Sequence, residues 1–147
     1  MNETMVFVYG SLRRGLALHG HLKDARPIGD GVASGFVMFD LGSYPAVEPT
    51  PYIAAQIRGE VYAVNPATLA RLDRVEGVGH DFYSRGPATV RLDGGDVLMA
   101  HLYFMRPGRA RKDSRDMVLG GDWVAYLAQR PLATAPGFSF EEDDLTF

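Results

Sequence analysis

Apolar positions along this chain fall mostly in short runs of β-forming residues, and one segment has helical period instead. Met5-Val6-Phe7-Val8-Tyr9, closed by Gly10, predicts a buried strand. Ala33–Leu41, Gln56–Val64, Pro87–Leu92 and Val97–Phe104 are also strand-like. They are separated by turn chemistry at Gly42-Ser43, Asn65-Pro66 and Asp93-Gly94-Gly95-Asp96. The last of these predicts a hairpin. Leu16–Asp24 reads as a short helix or an irregular loop.

The helical segment is Pro66–Glu76, with Asn65 as N-cap, Pro66 at the first helical position and Gly77 just past the end. A second helix is expected over Trp123–Gln129, capped by Asp122 and stopped by Pro131. Short strands with few helices imply an α+β fold: a small closed or strongly curved sheet, with helices outside it or across its mouth. Long helices do not alternate with the strands, which disfavours a doubly wound parallel sheet. No repeat or linker divides the chain, so residues 1–147 read as one domain.

The first helix carries an anomaly. Leu69 and Leu72 define its apolar stripe, with Val75 at the edge and Arg71 and Arg74 directed to water. Glu76 falls within roughly 20° of Leu69 and about 40° of Leu72, so a glutamate stands on the line that faces the core. It also lies in the last turn, where unpaired carbonyls disfavour an anion. Burial and the helix end should both raise its pKa toward the range useful for general acid/base work. A structural alternative stands beside this: a core-edge carboxylate paired with an arginine such as Arg85, or a frayed end reaching water.

Composition narrows the chemistry. The 147 residues are 46% hydrophobic and 22% charged, the balance of a globular protein rather than a disordered one. A net charge of -3 gives no electrostatic case for nucleic acid or an anionic membrane. There is no cysteine, which removes disulfides, thiolate metal sites and cysteine nucleophiles. Met1–Met5 lacks a secretory pattern and no apolar run approaches the ~20 residues of a membrane span, so the expected location is the cytoplasm.

Tyr9-Gly10-Ser11-Leu12 follows the first strand directly. Gly10 permits a sharp turn, and successive amides in such a turn can cradle a carboxylate or an oxyanion. A plain turn explains the same residues. The segment is not a phosphate-binding loop, because the lysine and following Ser/Thr are missing, and no G-x-S-x-G surrounds Ser11.

Together these residues resemble the γ-glutamylcyclotransferase-like, or AIG2-like, family. Val8-Tyr9-Gly10-Ser11-Leu12 resembles its Y-G-[ST]-L turn, Tyr44-Pro45 its mid-chain Y-P, and Arg58-Gly59-Glu60-Val61-Tyr62 its G-E-[VL]-Y strand. Leu72-Asp73-Arg74-Val75-Glu76-Gly77 resembles L-D-x-[LV]-E-G, Tyr83-Ser84-Arg85 the Y-x-R that follows, and Gly121-Asp122-Trp123 the G-D-W of the late helix. The matches run in order from Val8 to Trp123.

The resemblance implies a small mixed β-barrel with flanking helices. It also implies cyclisation of a γ-glutamyl group, releasing 5-oxoproline and a free amine or amino acid. Glu76 matches the family's catalytic glutamate, and Tyr9, Gly10, Ser11 and Leu12 match its γ-glutamyl-binding loop. Tyr83 and Arg85, two apart on an expected strand, would line the pocket and support a carboxylate, with a plain ion pair as the alternative for Arg85. No cofactor, metal, nucleic acid or membrane partner is implied, and the oligomeric state stays open. The alternative function is a non-catalytic binding module for a γ-glutamyl or other carboxylate-bearing metabolite; the blandest is a structural domain.

The last third departs from the family pattern. Its basic run Arg106–Lys112 either shapes specificity or is a solvated surface, and the leaving amine is left open. His19, His21, His80 and His101 lack the pattern of a metal site. Glu141–Asp144 reads as an acidic surface segment.

Overall fold

The first apolar run becomes strand β1 (Thr4–Val8), in which Val6, Phe7 and Val8 are all fully buried. A strand with no solvent-facing side needs cover on both faces, so a sheet open to water on one side could not hold it. In this computed structural model, which describes residues 2–77 and 83–130, β1 lies between two strands. It runs antiparallel to β5 (Gln56–Val64) and parallel to β7 (Val97–Phe104), through Val6 opposite His101. With β2 (Arg26–Ser34) and β6 (Ser84–Leu92) they close a barrel in the order β1-β5-β2-β6-β7. His80, Pro131 and Glu141–Asp144 lie outside the described residues.

A second, three-stranded sheet combines β3 (Phe36–Asp40), β4 (Pro45–Pro49) and β8 (Asp116–Met117) in the order β4-β3-β8. Among the described residues three helices accompany the sheets: α1 (Pro66–Val75), α2 (Arg109–Asp113) and α3 (Trp123–Gln129). One hydrophobic cluster, including Phe7, Phe39, Val47, Leu72, Tyr103 and Trp123, runs through both sheets and the helices. Among the described residues no helix is long and apolar enough to cross a membrane.

Most expected elements appear where local chemistry places them. Asn65 Oδ1 accepts from the Thr68 amide at 2.8 Å, and Asp122 accepts from the Ala125 amide at 3.1 Å, so both helices start on their expected caps. The Asp93–Asp96 turn joins β6 to β7, closed by Leu92 N–H donating to the Asp96 carbonyl at 2.8 Å. The segment after β1 holds a 3-10 turn at His19–Leu22.

Other expectations need correction. Ala33–Leu41 is not one strand: the chain turns at Gly35 (φ +87°) and passes from the barrel into the second sheet. β2 begins earlier, at Arg26, because Pro27 and Gly29 mark a register shift against β5 rather than a loop. β4 escapes sequence reading because prolines bracket it, which an edge strand tolerates. Tyr83 precedes β6 rather than sharing it with Arg85. Arg71 does not point to water; it donates to the His21 carbonyl at 2.7 Å and ties α1 to the 3-10 turn.

Candidate active site

Glu76 is the residue that closes α1. Its amide donates to the Leu72 carbonyl at 3.0 Å, and Gly77 leaves the helix with φ +67°. The helix presents Leu72 to the core, and Glu76 follows on the same side with only 1% exposure. The frayed, water-facing alternative therefore does not hold. Nor is Arg85 the ion-pair partner: its guanidinium is held by Asp73, with Nε 2.8 Å from Oδ1 and Nη2 3.3 Å from Oδ2.

Three tyrosines from different parts of the chain surround this region. Burial pushes the Tyr9 phenol well above its ordinary pKa, and nearby Tyr83 and the Glu76 charge push it the same way. Burial also raises Tyr103, followed by Asp73, which accepts its hydroxyl at 2.6 Å; Glu76 adds to the effect. The Glu76 carboxyl thus lies within electrostatic reach of Tyr9, the first residue of the glycine turn, and of Tyr103. Tyr83 is buried beside Tyr9.

The turn itself is rigidly built. Arg13 N–H donates to the Gly10 carbonyl at 2.9 Å, and Leu18 N–H to the Ser11 carbonyl at 2.9 Å. Tyr9, Gly10, Ser11 and Leu12 are all buried. Among the described residues the amides of Ser11 and Leu12 have no backbone acceptor.

The anchor beneath the turn was not foreseen from the sequence. Glu60, buried on β5, accepts three donors: Arg13 Nε at 3.1 Å, the Arg14 amide at 3.0 Å and the Tyr62 hydroxyl at 2.7 Å. Burial and this carboxylate push the Tyr62 phenol up to about 12. Arg13 continues to Asp122 Oδ1 at 2.9 Å, so one guanidinium joins the turn, the barrel and the cap of α3. Burial works to raise the Asp122 carboxyl, but the Ala125 amide and Arg13 outweigh it and hold it below its ordinary range. The available signal was a glutamate inside an otherwise buried strand.

Two glycines allow this assembly. A Cβ on Gly59 would stand 2.2 Å from the Val8 carbonyl oxygen and 2.7 Å from the Phe7 ring, so the end of β1 lies this close to β5 only over a bare backbone. A Cβ on Gly121 would stand 2.2 Å from the Gln56 carbonyl oxygen, and Arg58 N–H donates to the Gly121 carbonyl at 2.8 Å. Gly121 thereby seats the start of α3 on β5. Trp123, almost fully buried, stacks on Tyr126 and under the Arg130 guanidinium, so its position is in the core.

The basic run divides. Glu48, buried on β4, accepts the Gly108 and Arg111 amides at 2.8 Å each and seats α2. Arg106, Arg109 and Lys112 line an open depression of about 430 Å³ with Asp113. His19 contacts the Leu12 carbonyl at 2.9 Å through Nδ1 and packs near the Tyr62 ring, while His101 faces Arg85.

Known proteins are similar to this chain in sequence and in fold. A Methanocaldococcus jannaschii protein named "Putative gamma-glutamylcyclotransferase MJ1514" is 41% identical over 101 residues, 67% of this chain and 82% of its own length. The gamma-glutamylcyclotransferase family protein YtfP of Escherichia coli K12 is 29% identical over 119 residues, 81% of this chain and 95% of its own. Among solved structures, an AIG2-like protein from Mus musculus matches with a TM-score of 0.66 at 24% identity, over 79% of this chain and 90% of that one, a likeness of fold. The sequence profile described as gamma-glutamyl cyclotransferase, AIG2-like, matches residues 6–125, and the chain belongs to that family.

Proposed function

We propose that the chain is an enzyme that cyclises a γ-glutamyl group, releasing 5-oxoproline and a free amine or amino acid, with Glu76 as its general acid/base. The observation that carries this reading is the Glu76 carboxyl, 1% exposed and within electrostatic reach of Tyr9, where the glycine turn begins.

The α-amine of the substrate attacks its own γ-carbonyl carbon. A C–N bond forms to close the five-membered ring, and the C–N bond to the leaving amine breaks. From ammonium to lactam the attacking nitrogen gives up two protons, and the leaving nitrogen gains two. Glu76 takes protons from the first nitrogen and returns them to the second, so no proton is consumed overall. The Ser11 and Leu12 amides hold the substrate's anionic group or the developing oxyanion. Holding the chain folded supplies the proximity that ring closure needs. Tyr83 lines the pocket beside Tyr9. Arg85, gripped by Asp73, serves the site from behind rather than as the partner of Glu76.

The test is incubation of the purified protein with a panel of γ-glutamyl amines, amino acids and short peptides. Stoichiometric appearance of 5-oxoproline and the free amine is expected from at least one of them. Folded protein that yields 5-oxoproline from none overturns the reading.

A further inference from the structure

Asp73 stands on α1 three residues before Glu76, so the two side chains occupy neighbouring rows, one turn apart. Its carboxylate is gripped from the barrel by two residues. Tyr103 donates its hydroxyl to Oδ1 at 2.6 Å, and Arg85 donates from Nε and Nη2. Arg85 and Tyr103 are directly opposite one another in the β6–β7 ladder, so two adjacent strands close on one helix carboxylate. Arg85 Nη1 also reaches His101 Nδ1 at 3.3 Å, which steadies the fork.

Tyr103 has a second attachment. Its backbone carbonyl accepts the Tyr9 hydroxyl at 2.6 Å. A single residue therefore links the helix that carries Glu76 to the strand end that opens into the glycine turn. The last turn of a helix lacks the backbone bonds that stiffen its middle, and Glu76 closes α1 at that weak end.

We propose that Asp73 is a positioning residue: clamped by Tyr103 and Arg85, it fixes the end of α1 and sets the separation between the Glu76 carboxyl and the Tyr9–Leu12 turn. The inference rests on the reading of Glu76 as the proton carrier. Asp73 needs no contact with substrate. Its effect is on geometry, and a misplacement of about 1 Å at a reacting group costs on the order of 100-fold in rate.

The test uses the full chain with Tyr103→Phe, which removes one hydroxyl and keeps the ring, and with Asp73→Asn, alone and together. Each single variant is expected to lower kcat for 5-oxoproline release by about 10- to 100-fold, with KM and the melting midpoint near wild type. The double variant should lose no more than the worse single, because both act through one contact. Wild-type kcat in both singles, a loss confined to KM, or additive losses overturn the proposal. A second readout does not depend on turnover: the 13C resonance of the Glu76 side-chain carboxyl should be displaced or broadened in Tyr103→Phe, and an unmoved resonance overturns the proposal. If wild type releases no 5-oxoproline from any γ-glutamyl compound, the reading of the reaction fails, and this resonance alone decides whether the clamp positions Glu76.

Discussion

The Tyr9 hydroxyl donates to the backbone carbonyl of Tyr103 at 2.6 Å, joining the end of β1 to β7 inside the barrel. Both phenols are buried, and burial is the largest cause that pushes each pKa up, with the Glu76 charge acting in the same direction. Near neutral pH these two phenols stay protonated and act as fixed hydrogen-bond donors.

Gly59→Ala tests the close approach of the end of β1 to β5. Its methyl group would meet the Val8 carbonyl oxygen at 2.2 Å, a backbone contact that no rotamer change relieves. A stability loss of about 1–3 kcal/mol is expected by urea denaturation. An unchanged midpoint would contradict that close approach.

Glu60→Gln tests the anchor beneath the glycine turn. It removes a buried charge that holds Arg13, the Arg14 amide and Tyr62 together, and leaves Arg13 without that partner. A loss of about 1–3 kcal/mol is expected, since the amide replaces one accepting oxygen and leaves a buried donor unpaired, while Arg13 keeps Asp122. Calorimetry compares the two proteins directly. A melting point equal to wild type would show that the turn does not depend on Glu60.

Asp122 supplies an acid-side prediction. Its folded pKa lies below the unfolded value, so its stabilisation is present above the ordinary carboxylate range and is lost as pH falls through the folded pKa. Asp122→Asn keeps a capping oxygen for Ala125 but drops the charge opposite Arg13. The variant should melt below wild type at pH 7, and the gap should close as the pH is taken below 3.8. A gap that persists unchanged in acid would rule out this charge contact.

Tyr62 predicts the opposite limb. Its phenol is pushed up to about 12 by burial and by Glu60, so the folded state keeps a proton that the unfolded chain loses near pH 10. Stability should therefore fall between those values, and Tyr62→Phe should fall less steeply over the same interval. Parallel slopes in alkaline melts would refute the assignment.

What could be read from the sequence was what local chemistry determines. β5, β7 and α3 have the expected bounds, and the Asn65 and Asp122 caps announce their helices by residue type and spacing. Helical period alone put Glu76 on the side facing the core. What could not be read depends on partners far along the chain. α2 is seated by Glu48, whose accepting oxygens lie some sixty residues away, and nothing within Arg106–Lys112 signals that support. The Glu60–Arg13–Asp122 link spans β5, the turn and α3, and only tertiary contact shows that one guanidinium serves all three. Likewise, Arg85 looked equally suited to a ligand or to Glu76 until the barrel set it opposite Tyr103 and against Asp73.

Glu76→Gln, an isosteric change confined to the group proposed to carry the proton, separates binding from chemistry. Binding of a γ-glutamyl substrate is measured by calorimetry, and its conversion is followed in a single turnover with enzyme in excess. The variant should bind substrate with the affinity of wild type and form no 5-oxoproline. Turnover by the variant at the wild-type rate would contradict that role for Glu76.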